Sequence, residues 1–228
     1  MLEAGTSATL GWKKVWQFQS VCEINAACCV VLSKKLPETT CVHHDIFEPC
    51  DGWELLCEDS EDVHARFRAM CQAFRTEKRR CKKHQGWCRM ARPTLDVSGT
   101  PCQPWSRAGC RRGAADARSN VTLAYLSFLH TVNPILAVHE NVQGFSNKIL
   151  EEVSELYEIH HLVGRPSDAG FATRSCLARP CYCLCIVIVL LVGRLQSGRN
   201  THTHMCSLRH LSIGPGNLQF YFAKAMQS

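Results

Sequence analysis

The chain has 228 residues, 46% of them apolar and 20% charged, with 26 Lys and Arg against 20 Asp and Glu for a net charge of +6. This predicts a folded globular chain of one domain, or one domain and a fragment, and argues against disorder. The longest uncharged apolar run, 181–193, is 13 residues, too short for the roughly 20 that a membrane-spanning helix needs.

Taken in order, the chain opens on the small residues Ala4-Gly5-Thr6-Ser7-Ala8, after almost no strand. A mixed apolar stretch, 15–22, then ends in Glu23-Ile24-Asn25. Glu23 lies 18 residues past Gly5. A carboxylate about 20 residues after a glycine turn is where Rossmann-like sheets bind ribose hydroxyls. Residues 26–36 read as a helix packed on the sheet, and 40–43 as the next strand, ending in Asp45-Ile46.

An insertion follows, with 50 residues between Asp45 and Asp96. Val63, Phe67, Met70, Cys71 and Phe74 recur at helical spacing, which predicts a basic helix over 60–83 capped by Ser60. From Arg75 to Arg92 there are eight Lys or Arg against Glu77 alone, a local charge of +7 beside a remainder of −1. Charge concentrated in this way favours a polyanion contact, with a solvated helix face as the plain alternative.

Residues 95–97 read as the end of a buried strand, broken by Ser98, Gly99 and Pro101. Pro101 and Pro104 fix their own φ angles and restrict the residues before them, so Cys102 sits on a stiff loop. A thiol at a strand-to-loop switch suits a nucleophile, although a free cysteine is more often simply buried. Beyond it, 120–131 reads as a helix, 135–138 as a strand running into Glu140-Asn141-Val142, and 146–156 as a further helix. Strands are then expected at 157–163 and within 181–193. The fold class predicted is α/β: a Rossmann-like, mostly parallel sheet with helices on both faces and an inserted basic helix.

The ordered set Pro101-Cys102-Gln103, Trp105-Ser106, Ala108-Gly109, Gly113, Asp116-Ala117-Arg118 and Glu140-Asn141-Val142 occupies 47 residues from Asp96 to Val142. It resembles the cytosine-C5 methyltransferase family. The resemblance implies an S-adenosyl-L-methionine-dependent DNA (cytosine-5-)-methyltransferase that methylates a flipped cytosine. In it Cys102 is the nucleophile, Glu140 holds the ring N3 and exocyclic amine, and Asn141 fixes the loop. Arg174 or Arg179 would hold the base carbonyl; the family's two arginines are separated by one residue, whereas these are five apart. The cofactor would meet Gly5 and Thr6 in the small-residue turn, Glu23 with Ile24, Asp45 with Ile46, and Pro101. Ser7 and Ala8 stand where the family has glycines.

By this resemblance the catalytic domain is 1–193, with its insertion at about 47–94, and 194–228 is a short tail. In that tail Gly216-Asn217 faintly resembles the family's last motif. Only 30 residues separate Cys185 from Gly216, where the family carries a target-recognition domain. The partner implied is DNA, with a second polypeptide supplying recognition and no membrane. The alternatives are an RNA (transfer RNA) cytosine-C5 methyltransferase and a catalytically impaired nucleic-acid-binding remnant. Met1 to Leu10 shows no secretory signal, so the 16 cysteines are expected to stay thiols in an intracellular setting, nuclear if the source is eukaryotic.

Three groups of cysteine and histidine approach metal-ligand spacing. Cys81, His84 and Cys88 form C-x2-H-x3-C, His202, His204, Cys206 and His210 cluster in the tail, and Cys181, Cys183 and Cys185 alternate. None shows the paired CxxC spacing of a structural zinc site, and the sequence assigns no metal.

Overall fold

The computed structural model describes residues 17–57, 61–106, 109, 111–164 and 186–193. Two βαβ units carry the architecture. In the first, β1 (Ser20–Cys22) and β2 (Cys41–His43) are joined by helix α1 (Ala26–Lys35) and pair in parallel, Cys22 opposite His43. In the second, β5 (Leu95–Gly99) and β6 (Leu136–Val142) are joined by helix α3 (Asn120–Val132) and pair in parallel, Gly99 opposite Glu140. The second sheet continues through β8 (Ile186–Gly193) to β7 (Tyr157–Gly164), in the order β5-β6-β8-β7. The fold is therefore α/β, as the alternating pattern predicts. The β8 strand runs antiparallel to both neighbours, so this sheet is mixed rather than mostly parallel. The two sheets are not hydrogen-bonded to each other among the described residues. The small-residue turn expected at Ala4-Gly5-Thr6-Ser7-Ala8 lies outside the described residues.

Local chemistry explains the helices. Asn25 caps α1, its Oδ1 accepting from the Ala27 and Cys28 amides, while Lys34 and Lys35 occupy the last turn. Asp62 caps α2 (Val63–Ala73) in the same way, accepting from His64 N at 2.9 Å. Helix α3 is buried along most of its length, and Leu123, Leu126 and Leu129 are fully enclosed. It ends at Asn133 in the left-handed region, φ 51°, whose amide bonds back to Leu129. The Tyr157 hydroxyl donates to the Leu129 and Pro134 carbonyls, latching that end of α3 to β7. Around α3 the core gathers Met70 and Phe67 of α2, Trp53, Trp105, Phe145 and the 3-10 segment Asn147–Val153. Removing one of the buried leucines would cost about 2–5 kcal/mol.

The segment expected as an inserted basic helix departs from that expectation. Its helix stops at Ala73, and the basic run forms a hairpin of β3 (Lys78–Cys81) and β4 (Gly86–Arg89). In the turn after Phe74 the helical stripe falls on Glu77 and Lys78, so extending the helix there would bury nothing apolar in return. As a strand, Lys78-Arg79-Arg80-Cys81 alternates exposed and buried. Gln85, at φ 51°, followed by Gly86, makes the reversal. The segment expected as a helix at 146–156 is the single 3-10 element already named. No helix among the described residues is long and apolar enough to cross a membrane.

Candidate active site

The site grows from the C-terminal ends of β5 and β6. Because these strands are parallel and in register, the loop after Gly99 and the tripeptide Glu140-Asn141-Val142 emerge at the same edge of the sheet. Glu140 is exposed and its carboxylate lies over Gly99. A Cβ on Gly99 would come within 3.1 Å of Glu140 Oε2, so the missing side chain makes room for the acid.

Asn141 is buried. Its Nδ2 donates to Thr100 Oγ1 at 3.2 Å and to the Thr100 carbonyl at 3.4 Å, while its Oδ1 accepts from the Val142 amide. The end of β6 is thereby tied to the residue two before Cys102. Half-buried Cys102 opens a tight turn, its carbonyl accepting from the Trp105 and Ser106 amides at 3.0 and 2.8 Å. Trp105 anchors that turn in the core, edge-on to Phe145 with ring centroids 5.0 Å apart. Gly144 permits the approach of the next loop: a Cβ there would sit 2.6 Å from the Trp105 carbonyl oxygen.

Beneath the loop lies a polar network that the sequence reading missed. His139 is fully buried, with Nδ1 3.1 Å from Ser98 Oγ and Nε2 3.4 Å from Thr100 Oγ1. Thr100 Oγ1 is also 3.0 Å from Thr122 Oγ1 of α3. The imidazole stacks on Tyr125, 5.3 Å between centroids, and burial lowers its pKa to about 4, so it is neutral at physiological pH. The Tyr125 hydroxyl donates to Asp96 Oδ2 at 2.9 Å. Burial pushes Asp96 up to about 6, although the tyrosine bond pulls it part of the way back. The signal was present in principle: His139 precedes the Glu-Asn-Val tripeptide, but nothing local to it announces Ser98 and Thr100 as partners.

The remaining site residues separate into two groups. Glu23 and Asp45 follow β1 and β2, which are parallel, so both lie at the C-terminal edge of that pair. Glu23 Oε1 accepts from the Asn25 amide, and Asp45 Oδ1 from the Phe47 amide. Ile24 is 66% exposed, whereas Ile46 packs against the core. Pro101 is half-buried in the Cys102 loop. Gly5, Thr6, Arg174 and Arg179 lie outside the described residues, as do the tail clusters. Elsewhere, Cys41, Cys81, His84 and Cys88 converge with their ligand atoms within 4.8 Å of one another.

A thiol on the loop after β5, an acid at the end of the adjacent strand and carboxylates ending a βαβ unit thus stand at strand ends of an α/β protein. Residues 71–171 match the family of C-5 cytosine-specific DNA methylases. Three curated relatives are Type II methyltransferases: M.MthTI of Methanothermobacter thermautotrophicus, M.FnuDI of Fusobacterium nucleatum and M.NgoPII of Neisseria gonorrhoeae. They are 33% identical over 75 residues, 38% over 52 and 42% over 48, or 33%, 23% and 21% of this chain. The matched stretches cover 21%, 15% and 14% of those proteins. Over residues 71–171 the chain is similar to the cytosine-C5 DNA methyltransferase family. A solved structure of a DNA modification methyltransferase encoded within an E. coli prophage is 16% identical, with a TM-score of 0.44 over 78% of this chain and 40% of that one.

Proposed function

We propose that the chain carries the catalytic site of a DNA cytosine-C5 methyltransferase, with Cys102 as nucleophile and Glu140 as the group that recognises and polarises the base. The observation that carries this reading is the register of β5 and β6, which sets Glu140 over Gly99 and ties Asn141 to Thr100. Cytosine C5 attacks a methyl donor poorly by itself. Addition of the Cys102 sulfur at C6 makes C5 enamine-like, while a proton shared between Glu140 and N3 relieves the charge that develops on the ring. Asn141 keeps the loop in place, so little rearrangement accompanies attack. Loss of the C5 proton then expels the Cys102 thiolate and restores the aromatic ring. A base within a duplex cannot reach these groups, so the reading requires a flipped nucleotide.

Two carboxylates ending parallel strands fit the ribose diol and the adenine amine of S-adenosyl-L-methionine, with Glu23 holding the first and Asp45 the second. When bound, that cofactor supplies the methyl group. Arg174 or Arg179 would complete the base pocket at its carbonyl.

The test offers the chain labelled S-adenosyl-L-methionine with either DNA or transfer RNA. Label at C5 of DNA cytosine is expected. Label confined to transfer RNA would favour the RNA branch, and label in neither would overturn the reading.

A further inference from the structure

The 78–89 hairpin poses a question of stability. An isolated two-stranded hairpin is marginal in water, and this one has little to bury. Its eight strand residues include four Lys or Arg, and Trp87 is 62% exposed. Contacts to β2 help: Lys82 N donates to the Val42 carbonyl at 2.7 Å, and the His43 ring nitrogen Nδ1 lies 2.9 Å from the Arg80 carbonyl.

At the end of the hairpin, three of its residues meet one from β2. His84 Nδ1 is 3.3 Å from Cys81 Sγ, 3.3 Å from Cys88 Sγ and 3.7 Å from Cys41 Sγ. A tetrahedral zinc with bonds of about 2.3 Å to sulfur and about 2.0–2.1 Å to nitrogen requires N···S edges of roughly 3.5–3.6 Å. The observed edges bracket that value. The donor set is three thiols and one imidazole, which selects zinc among the common cations.

The surroundings are those of a ligand cluster. His84 Nε2 lies 2.8 Å from the Glu38 carbonyl, which can only accept, so the ring's proton sits on Nε2 and the Nδ1 lone pair faces the three sulfurs. Cys81 Sγ accepts from the Val42 and His84 amides at 3.3 and 3.5 Å, bonds that favour a thiolate. Lys83 Nζ, held by the Leu36 and Pro37 carbonyls and paired with Glu38, anchors the turn to the loop before β2.

We propose that Cys41, Cys81, His84 and Cys88 bind one structural zinc ion that fastens the inserted hairpin to β2. Four protein ligands close the coordination shell, so the ion has no open position for a substrate. Binding releases the three thiol protons to solvent and leaves a site of net charge −1. The site holds the basic hairpin at a fixed place on the domain, and metal binding is coupled to its folding.

The test uses the full chain purified under reducing conditions. Elemental analysis should find about one zinc per chain. Cobalt exchanged for zinc should give the intense absorption of a tetrahedral thiolate site together with thiolate-to-metal charge transfer. Cys81→Ser and Cys88→Ser should lose the ion, His84→Cys should retain it with an altered cobalt spectrum, and Cys57→Ser should leave it untouched. Chelation should speed amide exchange in 78–89 by at least about tenfold while α3 is unaffected. Should the serine variants fail to fold, the cobalt spectrum and the exchange experiment on the unaltered chain decide alone. Substoichiometric zinc, iron in its place, a disulfide within the trio of cysteines, or hairpin exchange indifferent to chelation would each overturn the proposal.

Discussion

Replacing His139 with glutamine should reverse part of the protein's response to acid. Burial holds this imidazole near a pKa of about 4 against an ordinary value of 6.5. The unfolded chain therefore takes up the proton first as pH falls, and stability present above pH 6.5 is lost on the way down to 4. At about 1.4 kcal/mol per unit the loss approaches about 3 kcal/mol. Asp96 works in the opposite sense. Its folded pKa of about 6 lies above the ordinary 3.8, so it holds its proton longer in the folded state, and stability falls as pH rises from 4 to 6. That slope is also of order 3 kcal/mol at most, since Asp96 is only partly enclosed. Both groups touch Tyr125, one by a hydrogen bond and the other by stacking. In the unaltered chain their slopes largely cancel. The assay is urea unfolding followed by tryptophan fluorescence, with Trp105 in the core as reporter, at steps between pH 4 and 7. Relative to the unaltered chain, His139→Gln should lose stability more slowly on acidification, or gain it, and Asp96→Asn should lose it more steeply. If both variants keep the slope of the unaltered chain, the buried-network reading of β5 and β6 is wrong.

Further outcomes follow from the same geometry. Gly99→Ala should push the Glu140 carboxylate by a few tenths of an ångström and slow methyl transfer by roughly tenfold, with a stability change under about 1 kcal/mol; steady-state rates and urea midpoints separate the two. Asn141→Ala should cost about 1–2 kcal/mol through the lost Thr100 and Val142 bonds, and limited proteolysis should then cut within the 100–106 loop. Changing the exposed Lys78, Arg80, Lys82 and Arg89 to glutamine should flatten the slope of log affinity for DNA against log salt by about 3 to 4 units. Arg79 is omitted because it is buried, donating to the Asp45 carbonyl at 2.7 Å; its loss would damage the fold instead.

What could be read in advance was local in sequence. Pro101-Cys102-Gln103 and Glu140-Asn141-Val142 announce themselves because each is a short motif at the end of an apolar run. The capped helices α1 and α3 and the strands around them follow from periodicity for the same reason. Contacts that depend on distant pairing were not legible. No pattern within residues 95–100 says that Gly99 will sit opposite Glu140, or that His139 will find Ser98 and Thr100. Cys41 lies 40 residues before Cys81, so the trio Cys81, His84 and Cys88 looked incomplete until the chain folded. The hairpin was misread because helical spacing through Phe74 carried the eye into a run of charges that has no apolar stripe to sustain it.

The most direct test of the account is covalent trapping. The chain is incubated with S-adenosyl-L-methionine and duplex DNA containing 5-fluorocytosine, whose fluorine blocks the final loss from C5, and the products are digested and mapped by mass spectrometry. A denaturation-resistant adduct is expected on the peptide containing Cys102, absent from Cys102→Ser and strongly reduced in Glu140→Gln. DNA that is bound but never captured, or an adduct on any other cysteine, would contradict it.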